Sequence, residues 1–512
     1  MNKPAHLSRR QLLAAGAASA LLPLLSRGGF AADGGILRCV TPQSCSSLDP
    51  ITGKSGYDHA FLYPIFDTLV SFDAETMKPI PGLARAWEYV DLRTLKLTLQ
   101  ENVLFHDGTP FDAEAVRFNL ERSRTSDRSN IRGDFATVDS IEVTGSNEIT
   151  LRLNRPDASL PLVLSDRAGM MVSPTAIEKL GEETNLNPVG TGQMRFVSWA
   201  QSDEVVYERN DRYWREGLPL IQGLRIKTIT DVATALRSTV SGQADIAYGL
   251  SELQIKLIER YEQIEARITS SLRLVYIYLN YARPPFDDKR IRQALNYAID
   301  REVLNQALSV GLGEPTSTIL PKSHWASDPE AASYYSYNPE KAKQLLAEAG
   351  YPDGIDIHCL GLPDQSSIQM QEIILEQVKK AGIRLNIERS AADVLLGRFF
   401  GPAKEGAAAM ISWSGRPDPS QSFQQLYAKG SFYNTGGGET PGVEEAIETT
   451  RGSVDLDERK KAFAAIQKLV VEEALSVPLL FRPDVSAVST NVKGFLPNLL
   501  GKPKFDGVSL ES

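Results

Sequence analysis

Between Leu272 and Leu279 apolar side chains fall on both parities: Leu272, Leu274, Tyr276 and Tyr278 on one, Val275, Ile277 and Leu279 on the other. That pattern predicts a strand buried on both faces, which can run through the middle of a molecule. Arg283-Pro284-Pro285 ends it, Asp287 or Asp288 can cap the next helix, and Ile291, Leu295, Ala298 and Ile299 recur at helical spacing. Upstream, Gly35 to Thr41 reads as a first strand and Tyr57 to Leu69 as a helix. Alternation at Leu95-Lys96-Leu97-Thr98-Leu99, strand residues on either side of Asp107-Gly108, a helix from Asp112 to Glu121 and a hairpin over 141–153 suggest a smaller subdomain. Ile226 to Ile229, Val232 to Val240 and the strand at Ile246 form a βαβ unit, hence a parallel sheet.

Downstream, Asn338-Pro339 opens a helix ending at Gly350. Strands at 355–360, 383–388 and 407–413 then alternate with helices at 366–381 and 391–400. A helix from Asp457 to Glu473 leads to Val477-Pro478-Leu479-Leu480-Phe481, read as a second passage between halves. The division expected is therefore two α/β lobes: a first lobe from 32–70, 188–272 and 480–512, carrying a subdomain at 71–187, and a second lobe at 273–479. A chain of 512 residues is too long for one core and suits two or three domains.

The formal charge of −9 argues against nucleic acid or anionic membrane surfaces as partners. The first 31 residues form a separate object. Ser8-Arg9-Arg10-Gln11-Leu12-Leu13 resembles a twin-arginine export motif, the apolar run to Leu25 is too short to span a bilayer, and Gly29 and Ala31 suit cleavage after Ala31. A signal peptide, the twin-arginine machinery as a partner and a soluble periplasmic product are the expectation. Cys39, Cys45 and Cys359 give no disulfide framework, with a Cys39–Cys45 bridge left open.

Catalytic motifs are missing: no Gly-x-Ser-x-Gly, His-Glu-x-x-His or Cys-x-x-Cys occurs. Gly53-Lys54-Ser55 mimics the end of a phosphate-binding loop, but Leu48 stands where its first glycine belongs. His59, His106, His324 and His358 are far apart, which gives no signal for a metal, and His106 beside the Asp107-Gly108 turn reads as scaffold. Neither an enzyme nor a cofactor is expected.

Asn280, Pro285-Phe286-Asp287, Arg290-Ile291-Arg292-Gln293-Ala294-Leu295 and Ala298-Ile299-Asp300-Arg301 resemble the signature of the family 5 extracellular solute-binding proteins, the peptide-, opine- and nickel-binding receptors of ABC importers. Asn187-Pro188-Val189-Gly190-Thr191-Gly192 and the block from Gly82 to Phe111 add to the likeness. The resemblance implies a two-lobed periplasmic-binding-protein type II fold with an additional N-terminal subdomain. It also implies a monomer that hands a small solute to an inner-membrane ABC permease with its ATPase.

The resemblance also implies where the solute sits. The loop carrying Tyr57, Asp58 and His59 reaches the cleft in the family. Two loops after strands of the second lobe lie where open α/β sheets bind ligands: one with Asp364 and Gln365, the other with Trp413, Ser414, Arg416 and Asp418. Peptide-binding members carry an acidic residue, for the ligand amine, three positions after the tryptophan matching Trp413; here that position is Arg416. Dipeptide receptors carry an arginine near the position of Asp364. The reversed polarity predicts a peptide-like or opine-like solute with a carboxylate, clamped by Arg416 against a Trp413 wall. Asp418-Pro419 followed by Phe423 also resembles the nickel branch. A nickel-chelate or haem receptor, and a periplasmic hydrolase or chaperone on the same scaffold, therefore stay open as alternatives.

Overall fold

The strand Arg273–Leu279 separates two hydrophobic cores, one of which also takes in Phe72, Met77 and Leu162. Leu274, Tyr276 and Tyr278 face a cluster with Trp325, Phe399, Phe423 and Phe463. Val275, Ile277 and Leu279 face another with Ile291, Leu295, Ile357 and Ile374. Each large side chain so buried contributes about 1.5–3 kcal/mol, which is why both parities had to be apolar. The computed structural model describes residues 35–511 apart from Lys54 and Gly436, and the side chain of Asp393 is left aside. The twin-arginine segment and its cleavage site lie outside the described residues.

Two seven-stranded sheets carry the lobes. In the first, the order is Ile264–Thr269, Asp484–Ser489, Ile246–Leu250, Ile36–Thr41, Gly223–Thr228, Glu204–Arg209 and Met194–Ala200. Ile36–Thr41 is parallel to both neighbours, as the βαβ reading requires. In the second, the order is Glu314–Pro315, Val477–Phe481, Arg273–Leu279, Ala408–Met410, Ile355–Gly361 and Ile383–Arg389, with the short Trp413–Ser414 also paired to Arg273–Leu279. A four-stranded antiparallel sheet, Ala84–Asp91, Thr94–Leu99, Glu148–Leu153 and Val138–Gly145, packs on the helix Ala113–Thr125, which Asp112 caps.

The chain passes between the large sheets twice, at 270–272 and 482–483, and the passages are tied together. The Arg482 N–H donates to the Arg273 carbonyl at 2.9 Å and the Ser271 hydroxyl to the Arg482 carbonyl at 2.7 Å. Buried Glu252 of the first lobe accepts from Arg482 Nε at 2.9 Å and from the Ser309 hydroxyl of the second lobe at 3.3 Å. These bonds tie the two passages to each other, and short connecting segments of this kind can absorb a domain rotation. Further bonds join the lobes elsewhere, among them the Ala158 N–H to the Arg451 carbonyl at 3.0 Å and the Trp325 N–H to the Thr76 carbonyl at 3.3 Å.

Two expectations are corrected in detail, and the cysteine question left open is answered. The helix expected over 57–69 is only Asp58–Leu62, because Pro64 cannot extend it. The strand expected over 407–413 is two pieces, Ala408–Met410 and Trp413–Ser414. Cys39 and Cys45 are unbridged and buried, Cys45 donating to the Ser47 carbonyl at 3.1 Å.

The Gly190-Thr191-Gly192 turn packs against backbone. A Cβ on Gly190 would stand 2.1 Å from the Ile65 carbonyl oxygen, and one on Gly192 2.4 Å from that of Pro64. Gly190→Ala is expected to cost about 1–3 kcal/mol in a urea unfolding measurement, the usual range for overpacking. An unchanged midpoint would mean the turn has room to relax.

His106 locks the same turn, its Nδ1 accepting from the Gly190 N–H at 3.4 Å and its Nε2 donating to the Gly192 carbonyl at 2.9 Å. That pairing fits only neutral imidazole. Burial accordingly lowers His106 to about 4, and buried His324 to about 3. A histidine whose folded value lies below its unfolded value of about 6.5 contributes stability above pH 6.5 and loses it as pH falls through the folded value. The melting temperature is therefore expected to fall between pH 6.5 and 4, and less so in His106→Gln. An equal acid loss in that variant would contradict the assignment.

Candidate functional site: the cleft between the lobes

The loop after Thr41 and the loop after Met410 both line two neighbouring chambers, and a third adjoins them, lined by the subdomain and the helix Pro419–Tyr427. The first, about 340 Å³, is mainly apolar and is lined by Tyr57, Tyr248, Arg273, Trp413, Phe495 and Leu500. The second, about 540 Å³, is charged, with His59, Asp134, Asp166, Arg167, Arg416 and Lys502 on its walls. They share Gly56, Ser414 and Lys502. The third, about 340 Å³, shares Asp134 and Gln425 with the second and adds Gln424 and Arg451.

Most charges on the first-lobe wall satisfy one another. Arg167 donates to the Gly53 carbonyl at 2.5 Å, to the Ser55 carbonyl and to Asp58 at 3.1 Å. Lys502 lies 3.1 Å from Asp166, which also touches His59 Nε2, while His59 Nδ1 lies 2.9 Å from the Gly56 carbonyl. Burial works to raise the Asp166 carboxyl, but His59 and Lys502 outweigh it and hold the group well below the usual range. Burial lowers Lys502, and Asp166 opposes that.

Arg416 is different. Its Nε donates to Gln425 Oε1 at 3.0 Å, its guanidinium carbon lies 5.7 Å from the Trp413 ring centroid, and among the described residues no carboxylate lies within 4.0 Å of it. Trp413 is buried, packed edge-on to Tyr433, and its Nε1–H has no hydrogen-bond partner among the described residues. A guanidinium facing a cleft without a counter-ion is suited to an incoming carboxylate.

The expected site residues divide accordingly. Tyr57, His59, Trp413, Ser414 and Arg416 line the first two chambers. Asp58 does not: it is fully buried and accepts from the Ser46 N–H and hydroxyl at 2.7 Å each, as well as from Arg167. Asp418 does not either. Its carboxylate is buried, bonded by Arg459 Nη2 at 2.9 and 3.0 Å, and caps the helix Pro419–Tyr427. Asp364 caps the helix Gln365–Lys379 through the Ser367 N–H at 3.0 Å, and both Asp364 and Gln365 are exposed away from the three chambers. A capping oxygen already bonded to backbone is a poor ligand group.

Sequence reasoning missed Asp134, Asp166, Arg167 and Lys502. They come from three separate segments, and no spacing links them.

The family model of bacterial extracellular solute-binding proteins, family 5 Middle, matches residues 78–434. The glutathione-binding protein GsiB of Shigella flexneri serotype 5b (strain 8401) is 28% identical over 501 residues, covering 95% of this chain and 96% of that protein. The periplasmic binding protein DppA from Helicobacter pylori, solved in complex with the peptide STSA, superposes with a TM-score of 0.80 at 23% identity, covering 94% of this chain and 98% of that one. AgaA from A. tumefaciens R10, in complex with agropinic acid, gives 0.79 at 23%, covering 93% and 99%. Fold, cleft and the match over residues 78–434 agree: the chain belongs to the bacterial extracellular solute-binding proteins, family 5.

Proposed function

We propose that this periplasmic solute-binding component of an ABC importer holds a peptide-like or opine-like solute with at least one carboxylate, and releases it unaltered. The observation that carries the reading is the Arg416 guanidinium, which lines the charged chamber with, among the described residues, no carboxylate within 4.0 Å of it. Arg416 takes the solute carboxylate in a forked geometry. Trp413, Tyr57 and Leu500 receive an apolar part of the solute, with the free Trp413 Nε1–H available to a solute oxygen. The relatives named for binding glutathione, and the neighbours solved with the peptide STSA and with agropinic acid, support the reading. The division into a first lobe of 32–70, 188–272 and 480–512, a subdomain at 71–187 and a second lobe at 273–479 belongs to the same proposal, the lobes closing by rotation about the two passages.

Native mass spectrometry of the protein as purified tests this. The expected result is an organic carboxylate carried through purification and recovered at unchanged mass after incubation. A metal chelate or a haem in its place, or a product of altered mass, would overturn it.

A further inference from the structure

Arg416 is not the only charge the cleft leaves unmatched. Asp134 sits in the single turn Arg132–Phe135, held by buried Phe135, at the junction of the charged and amide-lined chambers. Among the described residues no cation lies within 4.0 Å of its carboxylate. Among those residues the one hydrogen bond to its carboxylate comes from the Gln421 amide of the opposite lobe, at 3.5 Å.

Its neighbours are committed elsewhere. Asp166 is held by His59 and Lys502, Asp58 by Arg167 and Ser46, and Asp157 by the Thr137 and Ser159 hydroxyls. Arg167 and Lys502 are spent on those same acids and on backbone carbonyls. Among the described residues, the second chamber thus holds one anion and one cation without an ion pair, Asp134 and Arg416.

We propose that Asp134 recognises an ammonium group of the solute, so that the solute is a zwitterion held between Asp134 and Arg416. This rests on the reading of Arg416 as the carboxylate clamp, and it narrows the substrate class to molecules with a free amine and a free acid. A half-buried carboxylate without a partner is costly, and an incoming ammonium relieves that cost. Burial, with Asp166 nearby, already raises Asp134 to about 6 against the pull of Arg416, Arg167 and Lys502. Beyond Asp134, the carboxamides of Asn130, Gln421 and Gln424 line the third chamber and offer donors and acceptors to peptide groups.

The test uses a mixed tripeptide pool in four forms: free termini, N-acetylated, C-amidated and blocked at both ends. Retention by the parent, Asp134→Asn and Arg416→Gln proteins is measured by equilibrium dialysis with mass spectrometry, and melting curves verify the fold. The parent should prefer free over acetylated amines roughly thirtyfold, in keeping with a charged hydrogen bond in a closed cleft. Asp134→Asn should abolish that preference yet keep the preference for acid over amide; Arg416→Gln should do the reverse; Asp134→Glu should restore part of the amine preference. An Asp134→Asn protein that still rejects acetylated peptides sinks the ammonium site and leaves the carboxylate reading intact. A parent indifferent to C-amidation sinks the carboxylate reading, and retention of no peptide in any form sinks both.

Discussion

Arg416→Ala is expected to weaken solute binding roughly 100-fold in a calorimetric titration, with little change in melting temperature. Removing one partner of a desolvated charge pair at an interface costs about 2–5 kcal/mol, and each 1.4 kcal/mol is tenfold in affinity. Stability should hold because, among the described residues, the side chain's only hydrogen bond is to Gln425, at 3.0 Å. Arg416→Lys separates charge from shape: it keeps the cation and loses the fork, so it should recover part of the affinity. Unchanged affinity in Arg416→Ala, with the solute identified from the purified protein, would remove the clamp.

Asp418→Asn is expected to cost about 3–5 kcal/mol of folding stability, read from urea unfolding, because it leaves the buried Arg459 guanidinium without its counter-charge. The pair is well placed to matter. Arg459 is 4% exposed and Asp418 fully buried, and the same guanidinium donates to the Thr450 carbonyl at 2.8 Å and to the Ala158 carbonyl of the subdomain at 3.2 Å. Asp418 also caps the helix that follows the Trp413–Pro417 loop, accepting from the Ser420 N–H at 2.9 Å. Solute affinity should therefore fall as well, through a misplaced loop and not through a lost contact. The double change Asp418→Leu with Arg459→Met should recover much of the stability, since a buried pair can be exchanged for apolar packing at small cost. A single variant within about 1 kcal/mol of the parent would show that the pair does not hold the loop.

The order of strands and helices was legible where one physical demand dominates the residues. Arg273–Leu279 must be apolar on both parities because it lies between two cores, and alternation in the subdomain reflects a sheet packed on one face. Helix starts were legible because Asp112, Asp288 and Asn338 cap with their own side chains. The site was legible only in part. Arg416 stands just past a strand end, where loops reach a cleft. Asp58 and Asp418 looked the same in the sequence, but Arg167 and Arg459, far along the chain, neutralise them. Asp364 was misread because a helix cap and a ligand group call for the same residue type. Asp134 gave no signal, since what marks it is the absence of a partner, and only the folded chain makes that visible.

The central claim is that two lobes joined by a pair of adjacent backbone passages close on a solute. Small-angle X-ray scattering of the protein stripped of solute, and again after adding back the solute recovered from it, tests that claim most directly. The account predicts a smaller radius of gyration on binding and recovery of the open profile after dialysis. Superimposable profiles with a tightly bound solute would contradict it.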